Sequence, residues 1–357
     1  MSFANIIKKS VRELETYVVR GKAPQPGLIK LNQNENPFDV PEDLKRELVE
    51  EFFTMSWNRY PDVFPAALIK ALSAHSNHQE DGIIAGNGSN ELMYTVLMAS
   101  VARGTKVLIP SPSFFLYEKA VKVFEGTVVP VMMNKDLSFA TDKILQAARE
   151  EHPAVIVLVS PNSPTGQSMP VGDVERIVRE TSALVIIDEA YIEFSDKQSA
   201  QLLIAHHDRL VVLRTFSKAF SMAGLRIGYL LAQPSLCAEL LKPKIPFTVN
   251  NLSAAVAMKL MVRKDIVKER IAFIKSQKEF LLRSLLSING VEPFSSDTNF
   301  LIFRTRHEAK KLFEALLKRN VLVRDVSSYP MLERTLRVNV GTENENKSFL
   351  SILQQCI

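Results

Sequence analysis

The chain has 357 residues, of which 46% are hydrophobic and 23% charged, and its formal net charge at pH 7 is +5. This length exceeds what one small hydrophobic core needs, and it predicts one large and one smaller domain. The surplus of positive charge is mild and is not gathered into a basic stripe with interleaved aromatic residues, so a nucleic-acid-binding protein is disfavoured. An anionic small molecule is weakly favoured as the partner.

The cysteines and the N-terminal residues indicate in which cellular compartment the protein is expected and whether a metal site is expected. Cys237 and Cys356 are the two cysteines of the chain, and their spacing fits neither a disulfide framework nor a zinc site. The first 21 residues are charged and amphipathic, and no run of eighteen apolar residues occurs in the sequence. We therefore expect a cytoplasmic protein with no membrane span and no metal centre.

The N-terminal part of the sequence predicts two helices separated by an arm. Residues 4–19 have helical spacing and end near Tyr17, and the prolines that follow predict an extended arm. A turn-forming motif, Asn-Glu-Asn-Pro at 34–37, comes next. Residues 41–53 predict an amphipathic helix, after which Tyr60 lies in a loop before a proline. By residue type alone, Tyr17 could equally be a packing residue, and Tyr60 is more typical of one.

A small-residue segment at 86–91 precedes an apolar helix predicted at 92–101. Small residues allow a backbone to approach a ligand closely, and the free N–H groups at the start of a helix favour an anion. Ser89 and Asn90 are therefore candidate phosphate ligands. Beyond them, predicted strands at 107–109, 127–133 and 155–159 alternate with helices at 116–124 and 142–150, as βαβ units require.

Two further strands are predicted at residues 184–187 and 210–213 by short, uninterrupted apolar runs. Such runs are typical of strands covered on both faces in a parallel sheet. The carboxyl ends of the strands in an open α/β sheet form the edge where ligands bind. Six polar side chains follow these two strands closely and are expected at that edge: Asp188, Tyr191, Thr215, Ser217, Lys218 and Arg226.

This set of side chains matches what pyridoxal 5′-phosphate requires from a protein. The cofactor needs an amine for its aldehyde, an anion for its ring nitrogen, and hydroxyl groups and a guanidinium for its phosphate. Lys218 would supply the amine and Asp188 the anion. Tyr191 would contact the phenolic oxygen of the ring, and Thr215, Ser217 and Arg226 would bind the phosphate. Each of these signals is weak alone, and their order along the chain makes them specific.

The C-terminal third predicts a smaller α+β unit. Residues 253–286 form a long helical segment, followed by strands at 299–303 and 336–340 with a helix at 308–319 between them. Arg324 and Arg337 are predicted at strand edges of this unit. A helix at 347–355 ends the chain.

Three segments carry a resemblance to a known family: DEAY at 188–191, TFSKAF at 215–220 and AGLRIGY at 223–229. They resemble the fold-type-I, pyridoxal-phosphate-dependent aminotransferases, and the Asn-Glu-Asn-Pro motif is similar to that of the histidinol-phosphate aminotransferases within that group. The resemblance extends from about Tyr17 to about Thr342. It implies an α/β fold in which residues 41–253 form a large domain around a mostly parallel sheet. Residues 1–40 and 254–357 would form the arm and a small α+β domain.

The resemblance also implies roles for residues outside the central stretch. Phe114 would stack on the cofactor ring, with Phe115 as the adjacent alternative. Tyr60 would reach the cofactor phosphate of a neighbouring subunit, which implies a homodimer, and Tyr17 would help to close over the substrate. The family has Asn directly before Pro-Thr-Gly, where this chain has Ser163. Ser163, Asn162 or Tyr191 could then contact the ring oxygen, and Asn162 is our choice.

The implied reaction is transamination of histidinol phosphate with 2-oxoglutarate, which yields imidazole acetol phosphate and glutamate in histidine biosynthesis. Arg337 would bind both substrates, and Arg324 would add specificity for the substrate phosphate. Two alternatives share the fold: an aromatic-amino-acid aminotransferase and a threonine-phosphate decarboxylase. A non-enzymatic α/β binding protein, with Lys218 merely on its surface, is a third alternative that a colourless purified protein would favour.

Overall fold

The computed structural model describes residues 6–16 and 26–357 of the chain. Its helices are α1 (Lys9–Arg12), α2 (Glu42–Thr54), α3 (Ala66–Ser76), α4 (Ser89–Ser100), α5 (Phe115–Val123), α6 (Thr141–Glu151), α7 (Val171–Glu180), α8 (Pro234–Leu241), α9 (Asn251–Val262), α10 (Lys264–Leu286), α11 (Ala309–Lys318) and α12 (Glu343–Cys356). Its strands are β1 (Ile29–Lys30), β2 (Ile83–Gly86), β3 (Lys106–Ser111), β4 (Thr127–Met132), β5 (Val155–Val159), β6 (Leu184–Asp188), β7 (Leu210–Thr215), β8 (Gly228–Leu231), β9 (Val291–Pro293), β10 (Phe300–Thr305), β11 (Val321–Leu322), β12 (Arg324–Asp325) and β13 (Thr335–Asn339).

A seven-stranded sheet in the order β2-β8-β7-β6-β5-β3-β4 forms the centre of the molecule. The pairs from β7 across to β4 are parallel, whereas β8 runs antiparallel to both β7 and β2. The predicted α/β architecture with a mostly parallel sheet is therefore confirmed.

Alternate residues of the inner strands enter two separate hydrophobic cores. In β5, Val155 and Val157 pack on one side of the sheet, whereas Ile156 and Leu158 pack on the other. The first core includes residues of α4, α5 and α8, and the second includes residues of α6, α7 and α9. Because both faces are covered, the strands carry continuous apolar sequence, which explains why the apolar runs identified them.

A four-stranded antiparallel sheet, β12-β13-β10-β9, lies in the C-terminal part of the chain. The N-terminal arm contributes β1, which pairs in parallel with β11 in a separate two-stranded sheet. The long helical segment predicted at 253–286 is instead two helices, α9 and α10, which meet at Arg263. The division of the chain into domains at residues 253 and 254 stays a prediction.

None of the helices in the described ranges is both long and apolar enough to cross a membrane.

Candidate active site

Most of the predicted site residues converge on one cavity of about 360 Å³ at the carboxyl edge of the central sheet. Its lining includes eleven of them: Ser89, Asn90, Phe114, Asp188, Tyr191, Thr215, Ser217, Lys218, Arg226, Arg324 and Arg337. A larger groove of about 610 Å³ lies along the small sheet between Gly290 and Arg334, and none of the predicted residues lines it. The smaller cavity is therefore the candidate active site.

Lys218 follows β7 and presents its amine to this cavity. Its Nζ donates a hydrogen bond to the backbone oxygen of Gln33 at 3.0 Å and lies 5.8 Å from the centre of the Tyr191 ring. Burial, and then the positive charge of Arg337, lower the pKa of Lys218 to about 8. A larger share of this amine is therefore neutral near pH 7 than in an ordinary lysine, and a neutral amine is the form that can act as a nucleophile or base.

Asp188 ends β6 and is mostly buried where it lines the cavity. Its Oδ2 accepts a hydrogen bond from the Tyr117 hydroxyl at 2.9 Å, and its Oδ1 accepts one from the backbone N–H of Ala190 at 3.1 Å. Burial raises the pKa of Asp188 to about 6, although these two hydrogen bonds oppose that rise. A protonated ring nitrogen placed against this carboxylate would supply the positive charge that the buried anion needs.

Hydroxyl groups and a guanidinium form a second cluster, at the ends of β7 and β2. Thr215 Oγ1 donates to Ser217 Oγ at 3.0 Å, and Arg226 Nη1 donates to the same Ser217 oxygen at 3.1 Å. Ser89 is the first residue of α4, so the N–H groups at the start of that helix face this cluster. The arrangement can bind a phosphate.

Two backbone features bring this cluster together. A Cβ atom added to Gly88 would lie 2.5 Å from Arg226 Nη2, and one added to Gly228 would lie 2.4 Å from the backbone nitrogen of Ser89. Arg226 itself has φ of 55°, a left-handed conformation that is unfavourable for a residue other than glycine. A cradle with no room for side chains, beside a buried amine and a buried carboxylate, fits pyridoxal 5′-phosphate.

Tyr191 is held by a residue to which the sequence did not assign a role. Asn34 Nδ2 donates to the Tyr191 hydroxyl at 2.9 Å, and its backbone oxygen accepts from Asn299 Nδ2 at 3.1 Å. Burial raises the pKa of Tyr191. The Asn-Glu-Asn-Pro motif thus joins the cavity to the small sheet, and its three closely spaced asparagine and glutamate side chains were the available signal.

The structure does not bring Asn162 to the cavity, contrary to our choice from the sequence. Its side chain is fully buried, donates to Pro112 O at 3.0 Å and to Thr165 Oγ1 at 2.8 Å, and accepts from Ser113 Oγ. These bonds hold the loop after β5 in shape. Ser163 lines the cavity instead, and it accepts a hydrogen bond from Arg337 Nη1 at 3.2 Å.

Arg324 and Arg337 are directly opposite each other on the antiparallel strands β12 and β13. Both line the cavity, and Arg337 also donates to the backbone oxygen of Asn32 at 3.0 Å and lies 5.1 Å over the Phe300 ring. Opposed residues on such a pair share one face of the sheet. The small sheet therefore places two adjacent positive charges at the cavity.

Tyr60, the other predicted tyrosine in the described residues, lies away from the cavity. Tyr60 is 81% exposed, stacks on Phe247 with ring centres 4.7 Å apart, and does not line the cavity of its own chain. Tyr17 lies outside the described residues.

Comparison with known proteins agrees with this geometry. Residues 26–353 match the family described as aminotransferase class I and II. The histidinol-phosphate aminotransferase of Chlorobium phaeovibrioides is 44% identical over 97% of this chain and 96% of its own length. That of Chlorobaculum tepidum is 43% identical over 98% of this chain and 100% of its own length.

Among solved structures, the fold is similar to that of histidinol-phosphate aminotransferase from Sinorhizobium meliloti in complex with pyridoxal-5′-phosphate. The TM-score is 0.88 at 21% identity, and the match covers 98% of this chain and 97% of the other. At this identity the likeness supports the fold, whereas the sequence relatives support the family. The chain therefore belongs to the class I and II aminotransferases and, within them, to the histidinol-phosphate aminotransferase family.

Proposed function

We propose that the chain transfers the amino group of histidinol phosphate to 2-oxoglutarate in histidine biosynthesis, with pyridoxal 5′-phosphate as its cofactor. The observation that carries this proposal is the placement of Arg324 and Arg337 side by side in the cavity that contains Lys218 and Asp188. A phosphate dianion with three acceptor oxygens is met better by two guanidiniums than by one.

The roles of the residues follow from their positions. When bound, pyridoxal phosphate supplies an electron sink for negative charge at the substrate carbon. Lys218 Nζ would hold the aldehyde end of the cofactor and would move the proton at the substrate carbon. Asp188 would keep the ring nitrogen protonated. Thr215, Ser217, Arg226 and the start of α4 with Ser89 and Asn90 would bind the cofactor phosphate.

The cofactor ring would be held by contacts on its face and on its phenolic oxygen. Phe114 lines the cavity at the start of α5 and would stack on the ring, as offset aromatic pairs do. Tyr191 would donate to the phenolic oxygen. Because Asn162 is committed to its own loop, we now propose Ser163 as the second group near that oxygen.

Turnover of three amines tests the proposed function. With 2-oxoglutarate as acceptor, we expect kcat/KM for histidinol phosphate to exceed that for phenylalanine at least about tenfold, the value of one charge-assisted hydrogen bond. Threonine phosphate should release no carbon dioxide, because a transaminase breaks the C–H bond at the substrate carbon and leaves the bond to the carboxylate in place. Carbon dioxide release, or a preference for phenylalanine, would contradict the proposal in favour of one of its two relatives.

We also propose a homodimer in which Tyr60 contacts the cofactor phosphate of the partner subunit. The segment around it exposes large apolar side chains, namely Phe53, Trp57, Tyr60 and Phe64, and apolar surface of this kind is typical of an interface. The compartment we propose is the cytoplasm, and the unpaired thiols Cys237 and Cys356 fit its reducing conditions.

Subunit mixing tests the assignment of Tyr60. Tyr60→Ala and Lys218→Ala should each be poorly active alone. Random mixing of the two makes half of the dimers mixed, and each mixed dimer holds one intact site. About a quarter of all sites, and so about a quarter of the wild-type activity, should then be restored. Activity is measured after co-expression in equal amounts, with wild type mixed with Lys218→Ala as the control. Failure to recover activity in verified mixed dimers, or a monomer in sedimentation, would contradict the assignment.

A further inference from the structure

Tyr117 is a buried phenol in α5 whose hydroxyl bonds to Asp188. Its exposed fraction is 0%, and its ring packs in the core on the α4 and α5 side of the sheet, with Phe114 6.3 Å away between ring centres. Tyr117 does not line the cavity. Its hydroxyl donates to Asp188 Oδ2 at 2.9 Å, so its effect on the site must pass through that carboxylate.

The Tyr117 hydroxyl is suited to be a permanent donor. Burial, followed by the nearby negative charge of Asp188, raises the pKa of Tyr117 well above its usual range, so the phenol stays neutral. A buried hydroxyl requires a partner, and this one has a carboxylate, which forms a stronger, charge-assisted bond. The bond also fixes the rotation of the carboxylate, because Oδ1 is held separately by the Ala190 N–H.

We propose that Tyr117 is a positioning residue that keeps Asp188 ionised and turned toward the ring nitrogen of the cofactor. The proposal rests on the proposed function and extends it to a residue behind the site. Of the groups that face Asp188, burial and the charge of Glu189 raise its pKa, whereas the Tyr117 bond, the Ala190 N–H and the charge of Lys218 lower it. The Tyr117 bond is the largest of the opposing contributions. The buried Tyr191 is a further titratable neighbour.

The test compares two cofactors in one protein at several pH values. We would measure the dissociation constants of pyridoxal phosphate and of its deaza analogue, in which CH replaces the ring nitrogen. Both carry the same aldehyde and phosphate, so the titrations of Lys218 and of the phosphate cancel in the ratio of the two constants. The titrations of the ring nitrogen and of the phenol differ between the two cofactors, so they are measured on the free cofactors and subtracted. What remains is the interaction of the ring nitrogen with Asp188.

In the wild type, the preference for pyridoxal phosphate should fall as the pH drops through about 6, where Asp188 gains its proton. Tyr117→Phe removes a hydrogen bond that stabilises the ionised carboxylate. The midpoint pH of the fall in cofactor preference should therefore rise by about one to two units, equivalent to a 10- to 100-fold change in the proton affinity of Asp188. Tyr94→Phe is the matched control, because Tyr94 packs against the same core and burial alone raises its pKa, with no contribution from Asp188. Its midpoint should equal that of the wild type.

A second variant guards against a folding defect in Tyr117→Phe. Replacing Tyr117 by 3-fluorotyrosine preserves its shape and makes the hydroxyl a stronger donor, so the midpoint should move downward. Equal midpoints in the wild type, Tyr117→Phe and the fluorinated protein would overturn the role of Tyr117 while leaving the proposed function intact. A wild type that binds neither cofactor, or shows no preference at any pH, would overturn the proposed role of Asp188 and this inference with it.

Discussion

Replacing Lys218 by arginine should abolish transamination while the protein stays folded and the positive charge stays in the cavity. An arginine remains protonated at every accessible pH, so it can neither bond to the aldehyde nor move a proton. We expect kcat to fall by at least about 10²–10⁴-fold, the contribution of a positioned acid–base group. Steady-state formation of glutamate from histidinol phosphate and 2-oxoglutarate measures kcat, and the cofactor should still bind through its phosphate and ring contacts.

The chain provides a matched control for this substitution in Lys278. This lysine of α10 is also buried and has its pKa lowered to about 8, chiefly by burial, but its Nζ donates to Ser296 O and Thr298 O away from the cavity. Lys278→Arg makes the same chemical change and should leave kcat near that of the wild type. Normal turnover by Lys218→Arg, or equal losses in both variants, would remove Lys218 from the reaction.

The central sheet and its functional edge could be predicted because local sequence encodes both. The apolar runs of β5, β6 and β7 have no polar interruption. Polar residues such as Asp188 and Thr215 follow these runs at the strand ends. Since parallel strands end at one edge of the sheet, the order of polar residues along the chain translates directly into a cluster in space.

Features that depend on distant contacts were missed. Asn34 bonds to Tyr191 across 157 positions of sequence, and no local pattern encodes such a pair. Asn162 was chosen over Ser163 because an amide is the usual partner at this point of the family motif, but the turn after β5 directs the amide inward and the hydroxyl toward the cavity. Strand β8 was also missed, since four residues beginning with glycine are too few for a periodic signal.

Helix ends were predicted less well than helix interiors. We expected the last helix at 347–355, but α12 begins at Glu343 because Thr342 and Glu345 form a capping box at its start. That Thr-x-x-Glu signal was present in the sequence. The break at Arg263 between α9 and α10 carries no proline or glycine, so helical spacing alone could not reveal it.

The arrangement of Arg324 and Arg337 is unfavourable unless an anion joins them. Like charges directly opposite on an antiparallel pair destabilise the strands. Arg337 is anchored to Ser163 and to Asn32 O, whereas the side chain of Arg324 has no hydrogen bond or ion pair with another residue of the described part of the chain. The two arginines therefore differ: Arg337 is fixed in place as part of the site, and Arg324 is available to a ligand.

This difference predicts that the two arginines contribute differently to kcat/KM for the two amino donors. Arg324→Ala should lower kcat/KM for histidinol phosphate by about 10- to 100-fold, the value of one charge-assisted contact, and lower that for glutamate less. Arg337→Ala should lower both, because both amino donors need the fixed guanidinium. Arg304→Ala, which removes an arginine of the same small sheet that pairs with Glu292 outside the cavity, is the control and should change neither. Equal small losses for Arg324→Ala, or a loss confined to glutamate, would contradict the phosphate assignment and favour an aromatic amino acid as the substrate.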